Sequence, residues 1–200
     1  MSKRIQKLQE LHAGKFPIVV IENAFSREEC DSLISLYNGD KEREIKDVLP
    51  GKEGKQTNFV EVYQSECVDW MYDRLEMLVE KANEENFKFD PKLYHDITCA
   101  FINKYSSAED GHRGWHVDGV LTEVPAYATR KLSVVVQLSD DHDYEGGDLE
   151  LFAYHNPKGV DLRGKGTAFV FPAFEWHRIT DVTKGDRYSL VHFVHGVPFK

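Results

Sequence analysis

Two histidines and one aspartate are the residues of this sequence best suited to chemistry. In Trp115-His116-Val117-Asp118-Gly119 an imidazole precedes a carboxylate by two positions, and on a β-strand residues i and i+2 point to the same face. His177 follows the apolar run 168–172. Two imidazoles and a carboxylate suit Fe(II) and leave coordination positions open for oxygen chemistry. The alternatives are an exposed histidine beside a turn aspartate, and a hydrogen-bonded core histidine at position 177.

A second pattern, Arg187-x-Ser189, is typical of a carboxylate-binding site. Both side chains would lie on one face of a strand, where a guanidinium and a hydroxyl can bind a carboxylate together. Val191 and Phe193 continue the same face, so the face should point into the core, where an unpaired cation is costly. We therefore expect Arg187 to bind the carboxylate of a ligand; the alternative is an ion pair with a neighbouring aspartate at the surface.

The first half of the chain should supply supporting elements. Residues 16–21 form an apolar run suited to a buried strand, and Ser26 with Glu29 forms a capping box that opens a helix through about Tyr37. Leu33, Ile34 and Leu36 should face the core from this helix. A second helix over 66–86 should pack its bulky residues into the core, namely Trp70, Leu75, Met77, Leu78 and Ala82. Residues 38–58 are charged and glycine-rich, which predicts a mobile loop. Such a loop could fold over a bound peptide or have no role in recognition.

From Leu93 onward the pattern becomes strand-like, with glycines between short β-branched and aromatic runs. The predicted strands are 97–105, 131–138, 148–152, 167–171 and 187–195. We predict an α+β fold with a double-stranded β-helix (jelly-roll) core and N-terminal supporting helices. Residues 1–200 would form a single domain, with a helical part over about 1–92 and the jelly-roll core over about 93–200.

Together these motifs resemble the Fe(II)/2-oxoglutarate-dependent oxygenases, and within them the prolyl 4-hydroxylase-like group. The resemblance covers residues 16–197 and rests on His116-x-Asp118, His177 and Arg187-x-Ser189. Three weaker landmarks support it, namely Tyr105 ahead of the first histidine, the turn at 145–149, and Phe171-Pro172 before the second. One departure is Arg187 itself, because the collagen-type enzymes carry lysine there while other branches carry arginine. That argues against a collagen-type enzyme and leaves 2-oxoglutarate use intact.

The resemblance implies a dioxygenase that uses Fe(II), 2-oxoglutarate and O2 to hydroxylate a prolyl residue in a peptide or protein, with succinate and CO2 as co-products. Iron would be held by His116, Asp118 and His177, with no further catalytic residue. The C1 carboxylate and 2-keto oxygen of 2-oxoglutarate would chelate the iron, and its C5 carboxylate would pair with Arg187, helped by Ser189 and Tyr105. Tyr105 could equally be a structural tyrosine. Ascorbate is a further candidate cofactor. From strand order, the pocket would also be lined by Thr129, Arg130, Leu132 and Val134.

Three other functions remain open at this point: hydroxylation of a free amino acid or other small molecule, a cupin-like metal-binding module without 2-oxoglutarate, and a non-catalytic binding module. The net charge of -9 disfavours nucleic-acid and anionic-membrane partners. The sequence shows neither a membrane-spanning run nor a signal peptide, and its three separated cysteines read as buried, reduced thiols, which predicts a cytoplasmic protein. Oligomeric state is left open.

Overall fold

The computed structural model describes residues 18–39, 43–46, 55–89, 99–119, 128–152 and 162–197. Within them two α-helices, α1 (Arg27–Gly39) and α2 (Asp69–Ala82), precede most of the strands, and a π-helical segment follows α2. The capping box at the start of α1 is confirmed. The Glu29 carboxylate accepts a hydrogen bond from the Ser26 backbone N–H at 2.7 Å, and Ser26 Oγ accepts one from the Glu29 N–H at 3.2 Å.

Each helix buries one stripe of side chains against the sheet. In α1 the stripe contains Leu33 and Tyr37, and in α2 it contains Leu75. Leu33 is buried as predicted, but the prediction was wrong for Leu36 and Met77, which are exposed by 41% and 55%. With 3.6 residues per turn, positions 33 and 37 share one face while position 36 lies beyond its edge.

The β-structure of the described residues comprises eleven strands that pair antiparallel. They are β1 (Val19–Ile21), β2 (Arg43–Lys46), β3 (Lys55–Val62), β4 (Ala100–Ser106), β5 (His112–His116), β6 (Arg130–Gln137), β7 (Tyr144–Gly146), β8 (Leu149–Leu151), β9 (Ala168–Pro172), β10 (His177–Ile179) and β11 (Val182–His195). The main path of pairing runs β1-β9-β6-β11-β4-β3-β5-β10-β8, while β2 pairs with β3 and β7 with β11.

The long strand β11 joins the parts of this structure. Its first residues pair with β7, its middle with β4, and its last residues with β6. The short strands β5, β10 and β8 follow one another along the other end of the path. This is the predicted double-stranded β-helix with supporting helices, and every described strand pair in it is antiparallel.

The segment 38–58 differs from the predicted mobile loop. Residues 43–46 form β2 and pair with residues 56–59 of β3, which itself pairs with β4 and β5. The loop prediction was therefore wrong for 43–46 and 55–58, because backbone pairing can order a charged, glycine-flanked sequence. Residues 40–42 and 47–54 lie outside the described residues. The strand predicted over 16–21 is confirmed for Val19–Ile21, and the domain division near residue 92 stays a prediction.

The main apolar core lies between the helices and one face of the large sheet, with Leu33, Met71, Ile102 and Leu190 among its members. The cysteine prediction was right for Cys30, which is buried, and wrong for Cys67 and Cys99, which are exposed and half-buried. Among the described residues, helices are too short or too polar to cross a membrane.

Candidate metal centre

The two predicted histidine ligands are brought face to face by strand pairing. β5 ends at His116 and β10 begins at His177, and these two residues are direct partners in the antiparallel register. Their ring centres lie 4.1 Å apart. In each ring Nδ1 lies 2.8–2.9 Å from the carbonyl oxygen two residues earlier, Gly114 for one and Glu175 for the other. A backbone carbonyl can only accept, so Nδ1 carries a proton and Nε2 is the nitrogen left to bind a metal ion.

Asp118 stands opposite both Nε2 atoms. Its Oδ1 lies 3.5 Å from His116 Nε2, and its Oδ2 lies 3.3 Å from His177 Nε2. The donor atoms of the three residues all fall within 4.8 Å of one another. The predicted route to this convergence was wrong in one respect: Asp118 is not on the strand but in the bend that follows it. There its backbone N–H donates to the carbonyl of Ala173 at 2.8 Å.

Neighbouring groups fix the Asp118 carboxylate further. Ser133 Oγ, from the middle of β6, donates to Asp118 Oδ2 at 2.7 Å. The Arg130 guanidinium donates to the Asp118 carbonyl oxygen at 3.0 Å. Hydrogen bonds of this kind orient metal ligands and raise the affinity of a site. Sequence reasoning missed Ser133, because a serine inside an apolar strand has no spacing signal of its own.

The protonation state of the cluster also suits a metal ion. Burial lowers the pKa of His116 to about 4, so its ring is neutral near pH 7. Burial alone would raise the pKa of Asp118, but the adjacent His177 and His116 hold it well below its ordinary value. A neutral imidazole beside an ionised carboxylate is the form that binds metal. Donor types, span and protonation therefore all fit Fe(II) held by two imidazoles and one carboxylate.

The cluster lies in a cavity of about 320 Å³. Its polar side chains include the three ligand residues, Tyr105 and Ser189, and much of the remaining wall is apolar, with Phe59, Phe101, Val135, Val191 and Phe193. The predicted face of β11 is thus the one that faces the cavity. On β6 the prediction was right for Arg130, which lines the cavity, and wrong for Leu132 and Val134, which are in the main core. Ser133 and Val135 face the site instead, because the pairing of β6 with β11 is irregular between Arg130 and Leu132 and the alternation changes phase there.

Arg187 is on the face of β11 that points toward the cavity, but it lies deeper than the residues that line the cavity, and only 1% of its surface is exposed. It pairs across the sheet with Tyr105, and its Cζ lies 5.6 Å from the centre of the Tyr105 ring. Gly147, with φ +65°, packs beneath it, since a Cβ there would lie 3.0 Å from Arg187 Cδ. Nε and Nη1 of Arg187 find no hydrogen-bond partner in the described part of the chain. Buried donors of this kind fit a carboxylate supplied by a ligand.

Arg113 is a cavity residue that alternation along the strand does not predict. It lies three positions before His116, which on a regular strand would place it on the opposite face. The pairing of β5 with β10 slips by one residue here, so that Arg113 opposes Ile179 while His116 opposes His177. This β-bulge turns Arg113 into the cavity wall beside the ligand cluster.

Comparison with known proteins agrees with this geometry. Residues 100–195 match the model of the family described as the 2OG-Fe(II) oxygenase superfamily. A PKHD-type hydroxylase of Nitrosomonas europaea is 30% identical over 118 residues, which are 58% of this chain and 51% of that protein. A PKHD-type hydroxylase of Azoarcus sp. is 33% identical over 123 residues, 60% of this chain and 53% of that protein. The chain spans about half the length of the curated relatives it matches.

Solved structures share the fold at low sequence identity. A Trichoplax adhaerens prolyl hydroxylase, in complex with a peptide fragment of the hypoxia inducible factor oxygen degradation domain, superposes with a TM-score of 0.66 at 14% identity. That match covers 98% of this chain and 93% of the other. A Pseudomonas putida prolyl-4-hydroxylase gives a TM-score of 0.64 at 16% identity, with 96% and 98% covered.

Proposed function

We propose that this chain, whose residues 100–195 match the model of the 2OG-Fe(II) oxygenase superfamily, is an oxygenase of that superfamily and hydroxylates a prolyl residue in a peptide or protein, with succinate and CO2 as co-products. One observation carries the proposal. His116, Asp118 and His177 converge in a cavity, and Arg187, on the cavity-facing side of β11, has two buried guanidinium nitrogens that find no hydrogen-bond partner among the described residues. A 2-keto dicarboxylic acid needs a metal ion for its keto acid end and a cationic side chain for its other carboxylate, and this site offers both a metal centre and a buried guanidinium.

The metal ligands have defined roles in this proposal. His116 and His177 bind Fe(II) through Nε2, since Nδ1 of each ring is held by a backbone carbonyl. Asp118 supplies the anionic ligand, and the hydrogen bond from Ser133 holds its carboxylate toward the two rings. When bound, Fe(II) and 2-oxoglutarate supply the oxidising chemistry with O2.

The co-substrate is bound by β11 and β4. Arg187 pairs with the C5 carboxylate of 2-oxoglutarate through its guanidinium, whose Nε and Nη1 have no hydrogen-bond partner among the described residues. Ser189 and Tyr105 face the same cavity and can add hydroxyl hydrogen bonds. Burial raises the pKa of Tyr105, so its phenol stays protonated and can donate. The surrounding aromatic and branched side chains keep water from the reacting groups.

The prolyl substrate is supported by the apolar cavity wall and by the relatives. Phe59, Phe101 and Phe193 offer flat apolar surface to a pyrrolidine ring. Relatives of the chain are named PKHD-type hydroxylases, and prolyl hydroxylases, one with a peptide bound, share its fold. We further propose that ascorbate supports turnover and that the protein acts in the cytoplasm, as its separated cysteines predict.

The test is turnover of defined substrates. The purified chain, supplied with Fe(II), 2-oxoglutarate, ascorbate and air, should form succinate faster when a proline-containing peptide is added, and the peptide should gain the mass of one oxygen atom. His177→Ala should abolish both signals, whereas His142→Ala should not, because His142 is an exposed histidine outside the site. Succinate formation with free amino acids but with no peptide would indicate a small-molecule hydroxylase. An iron-loaded protein that forms no succinate would favour a cupin-like module.

A further inference from the structure

We infer that the substrate carries a carboxylate beside the group that is oxidised, and that Arg113 binds this carboxylate. In a prolyl peptide, the carboxylate would come from an aspartate or glutamate next to the proline. The inference rests on the proposed function for the reaction but concerns a residue without a part in metal or 2-oxoglutarate binding. It assigns Arg113 as a specificity-determining residue.

The bulge in β5 is the first observation. The register slip between β5 and β10 places Arg113 on the same wall of the cavity as His116, His177 and Ile179. Bulges of this kind re-aim a side chain, and they cost a ladder hydrogen bond. A regular strand would instead have placed Arg113 on the opposite face.

The contacts of Arg113 are the second observation. Its guanidinium Nη2 lies 3.9 Å from Asp118 Oδ1, which is too long for a hydrogen bond, and the described residues offer it no other hydrogen bond. That carboxylate is already directed at the two imidazoles. The Arg113 side chain keeps 30% of its surface exposed, so an incoming molecule can reach it. Arg113 is therefore close to the metal site yet has its donors available.

The charge balance of the cavity is the third observation. Among the described residues, its charged lining is Arg113 and Arg130 against one carboxylate, that of Asp118, beside the two histidine ligands. The charges of a divalent metal ion and of the dicarboxylate 2-oxoglutarate cancel, and Arg187 balances Asp118. The cavity thus stays cationic when both are bound, in a chain whose net charge is -9. A cationic cavity on an acidic protein favours an anionic ligand.

Arg113 is the arginine of the pair that remains for the ligand. Arg130 donates to the Asp118 carbonyl at 3.0 Å, and its Cζ lies 3.7 Å from the centre of the Phe193 ring. Those contacts hold Arg130 against the wall. The Arg113 guanidinium is partly exposed and lacks such contacts, so it can move to bind a substrate carboxylate.

The experiment compares two peptides that differ only in the residue next to proline, glutamate in one and glutamine in the other. Zn(II) replaces Fe(II), 2-oxoglutarate is present, and binding of dye-labelled peptides is followed by fluorescence anisotropy, so that no turnover is needed. The wild-type chain should bind the glutamate peptide at least about tenfold more tightly, as one charge-assisted hydrogen bond allows. Arg113→Gln should bind both peptides equally, and Arg113→Lys should recover part of the preference.

Arg178→Gln is the matched control. Arg178 neighbours His177 on β10, but it pairs with Glu150 and stacks on Trp115 instead of lining the cavity. This variant should keep the preference. Equal affinity of wild-type protein for the two peptides, no measurable affinity for either, or a preference that survives in Arg113→Gln would overturn the inference. Succinate formation by the Fe(II)-loaded wild-type protein shows separately whether the proposed function stands.

Discussion

Replacing Arg187 with methionine shows whether this arginine binds the ligand or stabilises the fold. Arg187 is fully buried, and its Nε and Nη1 have no hydrogen-bond partner among the described residues. If the arginine is there to bind 2-oxoglutarate, the protein without ligand bears the cost of those unpaired donors. Methionine keeps an unbranched apolar chain and removes the donors. We therefore expect Arg187→Met to weaken 2-oxoglutarate binding without destabilising the unliganded fold.

The magnitudes follow from the two hydrogen bonds that one guanidinium can donate to one carboxylate. A hydrogen bond to a charged group contributes about 1.5–3 kcal/mol, so the loss of two should weaken 2-oxoglutarate binding by roughly 3–6 kcal/mol, a factor of about 100 or more. A buried unsatisfied donor costs about 1–3 kcal/mol, so its removal should leave the free energy of unfolding unchanged or raise it by about that amount.

Two assays read these effects independently. Calorimetric titration of 2-oxoglutarate into Zn(II)-loaded protein gives the dissociation constant, and urea unfolding of metal-free protein gives the free energy of unfolding. The matched control is Arg163→Met. Arg163 donates to the carbonyl oxygens of Gly146 and Tyr144 at 3.0 and 3.1 Å and stacks on the Tyr144 ring. Its loss should destabilise the fold by about 1–3 kcal/mol and leave the dissociation constant unchanged. An Arg187→Met protein that is less stable and binds 2-oxoglutarate normally would refute the reasoning.

Three further predictions concern the ligands and their surroundings. Alanine at His116, Asp118 or His177 should abolish turnover while circular dichroism stays that of a folded protein, because we propose that these side chains bind the metal and do not stabilise the core. Ser133→Ala should weaken Fe(II) binding about tenfold in a competition titration with a metal-binding dye, since Asp118 loses the hydrogen bond that orients it. Burial lowers the pKa of His195 from 6.5 to about 4. As the pH drops from 6.5 toward 4, the unfolded chain therefore binds a proton at this histidine before the folded chain does, and the free energy of unfolding falls by up to about 3 kcal/mol. His195→Gln should remove this part of the pH dependence in urea unfolding.

The controls for these predictions use residues of the same type elsewhere. Ser139→Ala removes a buried hydroxyl that accepts a hydrogen bond from the Tyr188 N–H at 2.7 Å, so it should lower stability and leave metal affinity alone. His142 is exposed, and His142→Gln should keep the wild-type pH dependence. Unfolding of all three ligand variants would make those residues structural. An unchanged Fe(II) affinity in Ser133→Ala would contradict the role given to Ser133, and an unchanged pH profile in His195→Gln would contradict the one given to His195.

Much of the fold could be predicted because the patterns were local. The capping box at Ser26 and Glu29 fixes the start of α1 through contacts within one turn, and the β-branched runs after residue 99 mark the strands directly. Two of the wrong predictions arose from an error in the phase of a repeating pattern. A one-residue error in alternation exchanged Val134 for Val135 on β6, and an error of similar size on α1 placed Leu36 in the core.

The convergence of His116, Asp118 and His177 was predictable from residue types, but the way it arises was not. The two histidines meet because β5 and β10 pair in a register that puts them opposite each other, and register is a long-range property that no short motif contains. Arg113 was missed for the same reason, since its direction depends on a bulge in that pairing. Arg187 could be anticipated, because the apolar alternation that follows it predicts burial.

The central claim, that this site binds Fe(II) and 2-oxoglutarate together, is tested most directly by an anaerobic titration of 2-oxoglutarate into Fe(II)-loaded protein. A 2-keto acid bound to Fe(II) gives a weak charge-transfer band in the visible spectrum. We predict that the band appears and saturates with wild-type protein, is absent in His177→Ala, and needs far more 2-oxoglutarate in Arg187→Met. Iron-loaded wild-type protein that develops no band at saturating 2-oxoglutarate would contradict the account.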